Sequence, residues 1–319
     1  MGAGASRLVS GEHREHGRLE RALADWLGVR SAVLFTSGYA ANVGLLPALA
    51  DGASDLILSD ALNHASIVDG CRLARARTRV FPHLDHDAVR ALLREAAGQT
   101  RRRWVVTESY FSMDADSPDL VALRELCDDN DAALVVDEAH ALGVLGPAGR
   151  GLCAEADVVP DVLVGTLGKA FGAGGAFVAG CDELTAWLWN RARSFVFSTG
   201  LSPAVAEAAL AALRTIDRDP TLRADTAGRA EQLRGGLLKL GYSPLGYGHI
   251  VPIVVGDSEE AVRLAERVSQ EGFTVRAIRP PSVPDGTARI RFTASARQSP
   301  ADIETLLGVL ADRGLGRFT

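Results

Sequence analysis

The chain has 319 residues, 47% of them hydrophobic, with a formal net charge of −6, enough to bury one large domain and a smaller one. A mildly acidic chain with no long basic run has little grip on nucleic acid or an anionic membrane, and no apolar stretch approaches a membrane span or forms a charged-then-apolar leader. Cys71, Cys127, Cys153 and Cys181 are too scattered for a metal knuckle or redox couple and read as free thiols of a reducing cytoplasm.

In chain order, short β-rich runs at Ala32–Phe35, Leu56–Leu58, Arg79–Phe81, Trp104–Thr107, Leu134–Asp137, Val162–Gly165 and Ala176–Ala179 predict strands. Between them, helical periodicity marks His13–Leu27, Ala40–Ala50, Ala65–Ala76, His86–Ala97 and Leu120–Asn130. The alternation predicts an α/β fold with an open, mostly parallel sheet covered by helices on both faces. After Ser202-Pro203 come longer helices, Ala204–Ile216 and Leu222–Leu240, and then a β–α–β–β–α-like run from Ile250 onward. The expected division is a large domain over residues 1–201 and a small C-terminal α/β domain over residues 202–319.

Chemistry concentrates at two predicted strand ends. Leu163-Val164-Gly165-Thr166-Leu167-Gly168-Lys169-Ala170-Phe171-Gly172 runs an apolar strand into a lysine among glycines, and Ala133–Asp137 ends in an aspartate followed by Glu138-Ala139-His140. A lysine there can bond an aldehyde cofactor, glycines let the backbone approach a planar ring, and a carboxylate can pair with a pyridine nitrogen. The pattern points to pyridoxal phosphate (PLP). Asp137-Glu138-Ala139-His140 also spells the acidic box of a helicase-type ATPase, but no GxxxxGK[ST] loop accompanies it. Met1–Ser6 carries the letters of a myristoylation pattern, which a glycine-rich loop shares, and no polybasic segment follows. His13 and His16 lie one helical turn apart without a third ligand nearby, so they are expected to be solvated, with no metal site.

A longer series of segments stands in one order: Gly4–Gly11, Thr36-Ser37-Gly38-Tyr39-Ala40-Ala41-Asn42, Asn63-His64-Ala65-Ser66, Glu108–Asp114, Asp137–His140, Gly165–Gly172, Phe197-Ser198-Thr199 and Arg279–Pro284. The series resembles the α-oxoamine synthases, PLP enzymes of the aspartate-aminotransferase fold (fold type I) that join an amino acid to an acyl thioester with loss of carbon dioxide. The resemblance covers essentially the whole chain. It implies a cytoplasmic acyltransferase acting on small molecules, working as a homodimer with shared active sites. Within the family, Ser6–Gly11 and Ala277–Pro281 resemble the branch that joins L-alanine to a pimeloyl thioester in biotin biosynthesis, whereas Leu58–His64 is shared with the glycine C-acetyltransferases.

The resemblance also assigns roles. Lys169 carries the cofactor, Asp137 pairs with its ring nitrogen, His140 meets its phenolic oxygen and His64 stacks on the ring and faces substrate. Gly38, Tyr39 and Thr166 serve the phosphate, where the start of a helix after a strand suits an anion. Ser198 and Thr199 reach the phosphate of a neighbouring subunit, and Ser112 is another cofactor contact. Arg291 forks the amino-acid carboxylate, and Arg279 and Ser282 sit in a Pro-rich loop near substrate. Arg289 is expected on the opposite strand face as a surface charge, and Glu108 on the ligand side. Family members carry several tens of residues ahead of the glycine-rich segment, including a helix, a small-domain strand and an asparagine near the substrate carboxylate. The expectation is therefore a start downstream of the true one or a shortened, PLP-binding homologue without efficient catalysis.

Overall fold

Side chains alternate between the two faces of a pleated strand, and that alternation sorts the core of the larger sheet. The computed structural model describes residues 2–311. Strands β1 (Ser31–Phe35), β2 (Leu56–Asp60), β3 (Arg77–Phe81), β4 (Arg103–Glu108), β5 (Ala133–Asp137), β6 (Val162–Thr166) and β7 (Ala176–Gly180) stand in the order β1-β7-β6-β5-β4-β2-β3. The β3-β2, β2-β4, β4-β5 and β5-β6 pairs are parallel, and β7 runs antiparallel to both β6 and β1. β1 thus points the same way as β6, so the carboxyl ends of β1, β2, β4, β5 and β6 share one sheet edge. In such sheets ligands bind at that edge.

The helices of this unit are α1 (Arg14–Leu27), α2 (Gly38–Leu49), α3 (Ala65–Leu73), α4 (His86–Ala96), α5 (Leu120–Asp129), α6 (Gly151–Glu155), α7 (Asp182–Arg191), α8 (Arg193–Val196) and α9 (Pro203–Arg218). Val33, Phe35, Val162, Val164 and Val178 pack on one face with residues of α2, α3, α7 and α8. Their neighbours Ala32, Leu34, Leu163, Phe177 and Ala179 pack on the other with α1 and α9. Local sequence starts the helices: Ser37 Oγ accepts from Ala40 N (3.0 Å), Asp85 Oδ1 from Ala88 N (2.8 Å) and Asp119 Oδ1 from Ala122 N (3.0 Å), the side-chain caps that short polar residues supply. Gly28, at φ 72°, closes α1 in the left-handed conformation.

Two expectations change here. His16 is not solvated: it is fully buried, with Nε2 2.6 Å from Leu201 O and Nδ1 accepting from His13 N (3.2 Å) at the start of α1. The described residues hold no cluster of potential metal ligands. The division also falls later than 201/202, because α9 buries Ala206, Ala209, Leu210, Leu213 and Ile216 in the same core as Leu19 and Leu23 of α1. The first unit takes in residues up to 110 and 117–218; the second takes 111–116 and the residues from 219 on.

The second unit contains α10 (Thr221–Lys239), β8 (Ile250–Gly256), α11 (Ser258–Gln270), β9 (Arg276–Ile278), β10 (Ala288–Thr293) and α12 (Pro300–Ala311). Its antiparallel sheet has the order β8-β10-β9 and shares a core with the three helices through Leu233, Leu237, Leu264, Val268, Ile290, Ile303 and Leu306. Residues 111–116 belong to it partly because Tyr247 N donates to Ala115 O (2.9 Å).

Within the first unit, Gly165 leaves no room for a methyl group. A Cβ there would lie 2.3 Å from Phe177 Cζ and 2.6 Å from Leu142 Cδ1, both in the core. Gly165→Ala is expected to destabilise the fold by about 1–3 kcal/mol through overpacking. The readout is a lowered urea midpoint at unchanged m value; a midpoint equal to the parent's would show that the core yields.

Candidate active site at the strand ends

Lys169 follows Thr166, the last residue of β6, by three positions, and its Nζ lies 2.8 Å from Nε2 of His140. His140 stands three residues beyond Asp137, the end of β5, which pairs with β6. Asp137 is 7% exposed, and both its oxygens are engaged: Oδ1 accepts from Ala139 N and Oδ2 from Asn42 Nδ2, each at 2.9 Å. Asn42 comes from α2, which begins directly after β1. A Cβ on Gly38, the first residue of α2, would lie 3.9 Å from Thr166 Oγ1, so the helix start and the end of β6 adjoin. The first N–H groups of a helix have no partner within it and carry the positive end of its dipole. The donor set is an amine, a carboxylate, two imidazoles, a hydroxyl and a helix N-terminus. That set fits PLP, whose aldehyde, ring nitrogen, phenolic oxygen and phosphate need those groups.

His64 enters from the turn after β2. Its backbone N–H donates to Glu108 Oε1 (2.7 Å) at the end of β4, and its ring caps α3 by accepting from Ser66 N (3.2 Å). The preceding Asn63 is anchored by Nδ2 to Ser59 Oγ (2.9 Å) and Val106 O (2.8 Å). Partial burial holds the His64 imidazole below its ordinary pKa against the pull of Asp137, and the Lys169 charge adds to the depression. Burial, reinforced by Asp137, pushes the Glu108 carboxyl up to about 8 although the His64 N–H and Lys169 act the other way. Burial likewise pushes Glu138 up to about 7, opposed by its bond from Cys153 N (2.9 Å).

The remaining predicted residues have other settings. The exposed Tyr39 donates its hydroxyl to Asp69 Oδ2 (2.6 Å) on α3. Ser198 and Thr199 line a very small cavity with Arg7, Thr36 and Gly200. Ser112, Arg279, Ser282 and Arg291 belong to the second unit, where Arg291 donates to Ser112 O (3.3 Å) and its pKa is lowered by burial. Arg279 and Ser282 are exposed, joined by a bond from Ser282 N to Arg279 O (3.0 Å). Arg289 corrects an expectation: it is 3% exposed and donates to Asp114 Oδ1 (2.6 Å) and Met113 O (2.9 Å). Residues two apart on a strand share a face, so Arg289 lies on the Arg291 side, and both reach the 111–116 segment. The sequence placed Asn42 and Ser66 in matching segments but gave neither a role. The signal available was a polar amide amid the apolar letters of Ala40–Leu49.

Residues 1–310 match the family described as aminotransferase class I and II. The 8-amino-7-oxononanoate synthase of Marinobacter nauticus is 45% identical over 315 residues, spanning 98% of this chain and 79% of that protein. A serine palmitoyltransferase solved with PLP superposes with a TM-score of 0.94 at 31% identity, covering 99% of this chain and 81% of that one. The 8-amino-7-oxononanoate synthase of Francisella tularensis superposes with a TM-score of 0.81 at 25% identity, covering 94% and 87%.

The buried Glu108 makes stability depend on pH. An unfolded glutamate releases its proton near its ordinary value of 4.5, whereas folded Glu108 keeps it to about 8. Between those values the folded state binds more protons, so this group's contribution to stability falls as pH rises. Glu108→Gln removes that loss while keeping an acceptor for His64 N. Its stability relative to the parent, read from urea unfolding of cofactor-free protein, is expected to increase from about pH 5 to about pH 8; a constant difference would show that Glu108 is ionised throughout.

Proposed function

We propose that this chain, which belongs to the PLP-dependent α-oxoamine synthases of the class I and II aminotransferase family, condenses L-alanine with a pimeloyl thioester, with loss of carbon dioxide, to 8-amino-7-oxononanoate in biotin biosynthesis. Relatives of that name at 43–47% identity over nearly the whole chain support the assignment. The single observation that carries the chemistry is the convergence of Lys169, His140 and Asp137 at the carboxyl ends of adjacent strands.

When bound, PLP supplies a carbonyl carbon for an amine and a pyridinium ring that withdraws electrons from the substrate α-carbon. Lys169 Nζ would hold the cofactor, and as a free amine it would take the α-proton of alanine and later return a proton. The carbon–carbon bond then forms at the thioester carbonyl, the thiol departs, and the alanine carboxylate leaves as carbon dioxide. Asp137 keeps the ring nitrogen protonated while Asn42 Nδ2 and Ala139 N hold its carboxylate in place. His140 Nε2 serves the phenolic oxygen, and His64 covers the ring and faces substrate. Gly38, Tyr39 and Thr166 take the phosphate at the start of α2. In the second unit we assign Arg291 to the amino-acid carboxylate, for which a guanidinium fork is suited, with Arg279 and Ser282 as further substrate groups and Ser112 as a cofactor group.

The working unit in this proposal is a cytoplasmic homodimer, with Ser198 and Thr199 serving the partner's phosphate. Among the described residues no helix is long and apolar enough to cross a membrane. Phe197 is 72% exposed and Val9 79%. Their segments are joined by the bond from Gly200 N to Ala5 O (2.9 Å), and we assign these exposed apolar groups to the interface, since exposed apolar surface marks interaction sites. Phe197→Asp is expected to move the sedimentation profile toward monomer; an unchanged profile would place the interface elsewhere.

Catalysis is tested with purified chain, PLP, L-alanine and a pimeloyl thioester, following thiol release and product mass. PLP is expected to give near-visible absorbance, and borohydride followed by peptide mapping should place the label on Lys169. Asp137→Asn is expected to retain the fold and lower kcat by about 10²–10³-fold, the order lost with one electrostatic transition-state contact. Label on another lysine, or preferred turnover of glycine with an acetyl thioester or L-serine with a long-chain thioester, would overturn the assignment.

A further inference from the structure

Asp137 and His64 are connected through two side chains, one on α2 and one on α3. Asn42 Nδ2 lies 2.9 Å from Asp137 Oδ2 and 3.0 Å from Ser66 Oγ, and Ser66 Oγ lies 2.8 Å from His64 Nδ1. Asn42 and Ser66 are 2% and 1% exposed, so the two bonds made by Asn42 are shielded from water. The direction of each bond follows from its donor and acceptor inventory. A carboxylate only accepts, so Asn42 turns its NH₂ toward Asp137; the reverse orientation would face oxygen with oxygen. The second Asn42 proton goes to Ser66 Oγ. With its oxygen accepting, the Ser66 hydroxyl has its one proton left for His64 Nδ1.

A second donor at the same ring atom cannot rotate away. Ser66 N, whose direction is set by the backbone of α3, donates to His64 Nδ1 at 3.2 Å. Nδ1 therefore faces two donors and must present a lone pair, which leaves the proton of the neutral ring on Nε2. A proton on Nδ1 would oppose both donors and the positive end of α3. The charged groups acting on the ring are Lys169, which also disfavours imidazolium, and Asp137, which favours it; Glu108 meets the backbone N–H of the same residue.

We infer that Asn42 and Ser66 are positioning residues which hold His64 as the neutral Nε2–H tautomer and tie its ring to the carboxylate of Asp137. The consequence for chemistry rests on the function proposed above. His64 then meets substrate as a hydrogen-bond donor through Nε2–H and has no free lone pair with which to remove the α-proton, a task left to Lys169. One chain of bonds also registers the ring-covering histidine against the group assigned to the ring nitrogen, although the two residues lie on different strands' ends.

The test uses the full chain labelled with ¹⁵N-histidine, with and without PLP, His64 being assigned by the signal lost in His64→Gln. The expected spectrum at neutral pH has an unprotonated Nδ1 and a protonated Nε2, with titration below the ordinary value of 6.5. Ser66→Ala removes the hydroxyl and keeps the backbone donor; the His64 pKa is expected to rise by roughly 0.5–1 unit, the size one hydrogen bond to the neutral form would hold, with some Nδ1–H tautomer appearing. Asn42→Ala should give a shift of the same sign and also displace the pH profile of the near-visible PLP absorbance, because Asp137 loses a donor. Should Asn42→Ala fail to fold, Ser66→Ala decides alone. A parent His64 that is Nδ1–H or imidazolium at neutral pH, or a Ser66→Ala spectrum equal to the parent's, overturns the inference. The tautomer is read without substrate, so failure of the alanine condensation would remove the proposed function and leave this result standing.

Discussion

Placing a buried carboxylate at the end of a central strand is the constraint on which the site depends. Asp137 can sit there because both its oxygens are satisfied, one by Ala139 N two residues on and the other by Asn42 from α2. An unpaired buried carboxylate would be costly. The bond from Asn42 requires α2, packed on β6 and β7, to reach the end of β5, which in turn requires β1 to run in the same sense as β6. The antiparallel strand β7 between them makes that possible. Chemistry at the edge is thus a product of sheet order as much as of residue type.

The same edge gathers more carboxyl groups than it can keep ionised. Glu108 and Glu138 are almost wholly buried and both are pushed well above the usual carboxylate range. Each nonetheless accepts a backbone N–H, Glu108 from His64 and Glu138 from Cys153. These groups act as fasteners of loops. Glu138 ties the start of α6 beneath the Asp137–His140 turn, and a Cβ on Gly151 would come within 1.4 Å of its Oε2. Close packing of this kind keeps Asp137 and His140 in register without adding another charge beside them.

Two buried polar residues that had been read as ordinary surface groups show the limits of pattern. His16 carries the letters of a solvated helix face, yet its ring occupies the core because Leu201 O and His13 N supply partners there. Arg289 sits on a strand with Arg291 and shares its face. Its guanidinium is buried through Asp114, 175 positions away in sequence. A buried charge with a partner can be structural, and only the partner's location reveals it.

The sequence by itself determined the seven strands of the larger sheet and the helices α1–α5, α9 and α10 to within a few residues, though not α6, α7 or α8, along with the mostly parallel sheet and the segments that carry the lysine, the aspartate and both histidines. Those features are local: alternation, 3.6-residue periodicity, capping residues and glycines leave marks within a dozen positions. Tertiary structure alone decided that α9 belongs with the first unit, that Glu108 holds the His64 backbone, and that Asn42, 95 positions from Asp137, supplies its hydrogen bond. Hydrogen bonds between distant side chains depend on strand order and burial, and neither is written in the spacing of residues along a single segment.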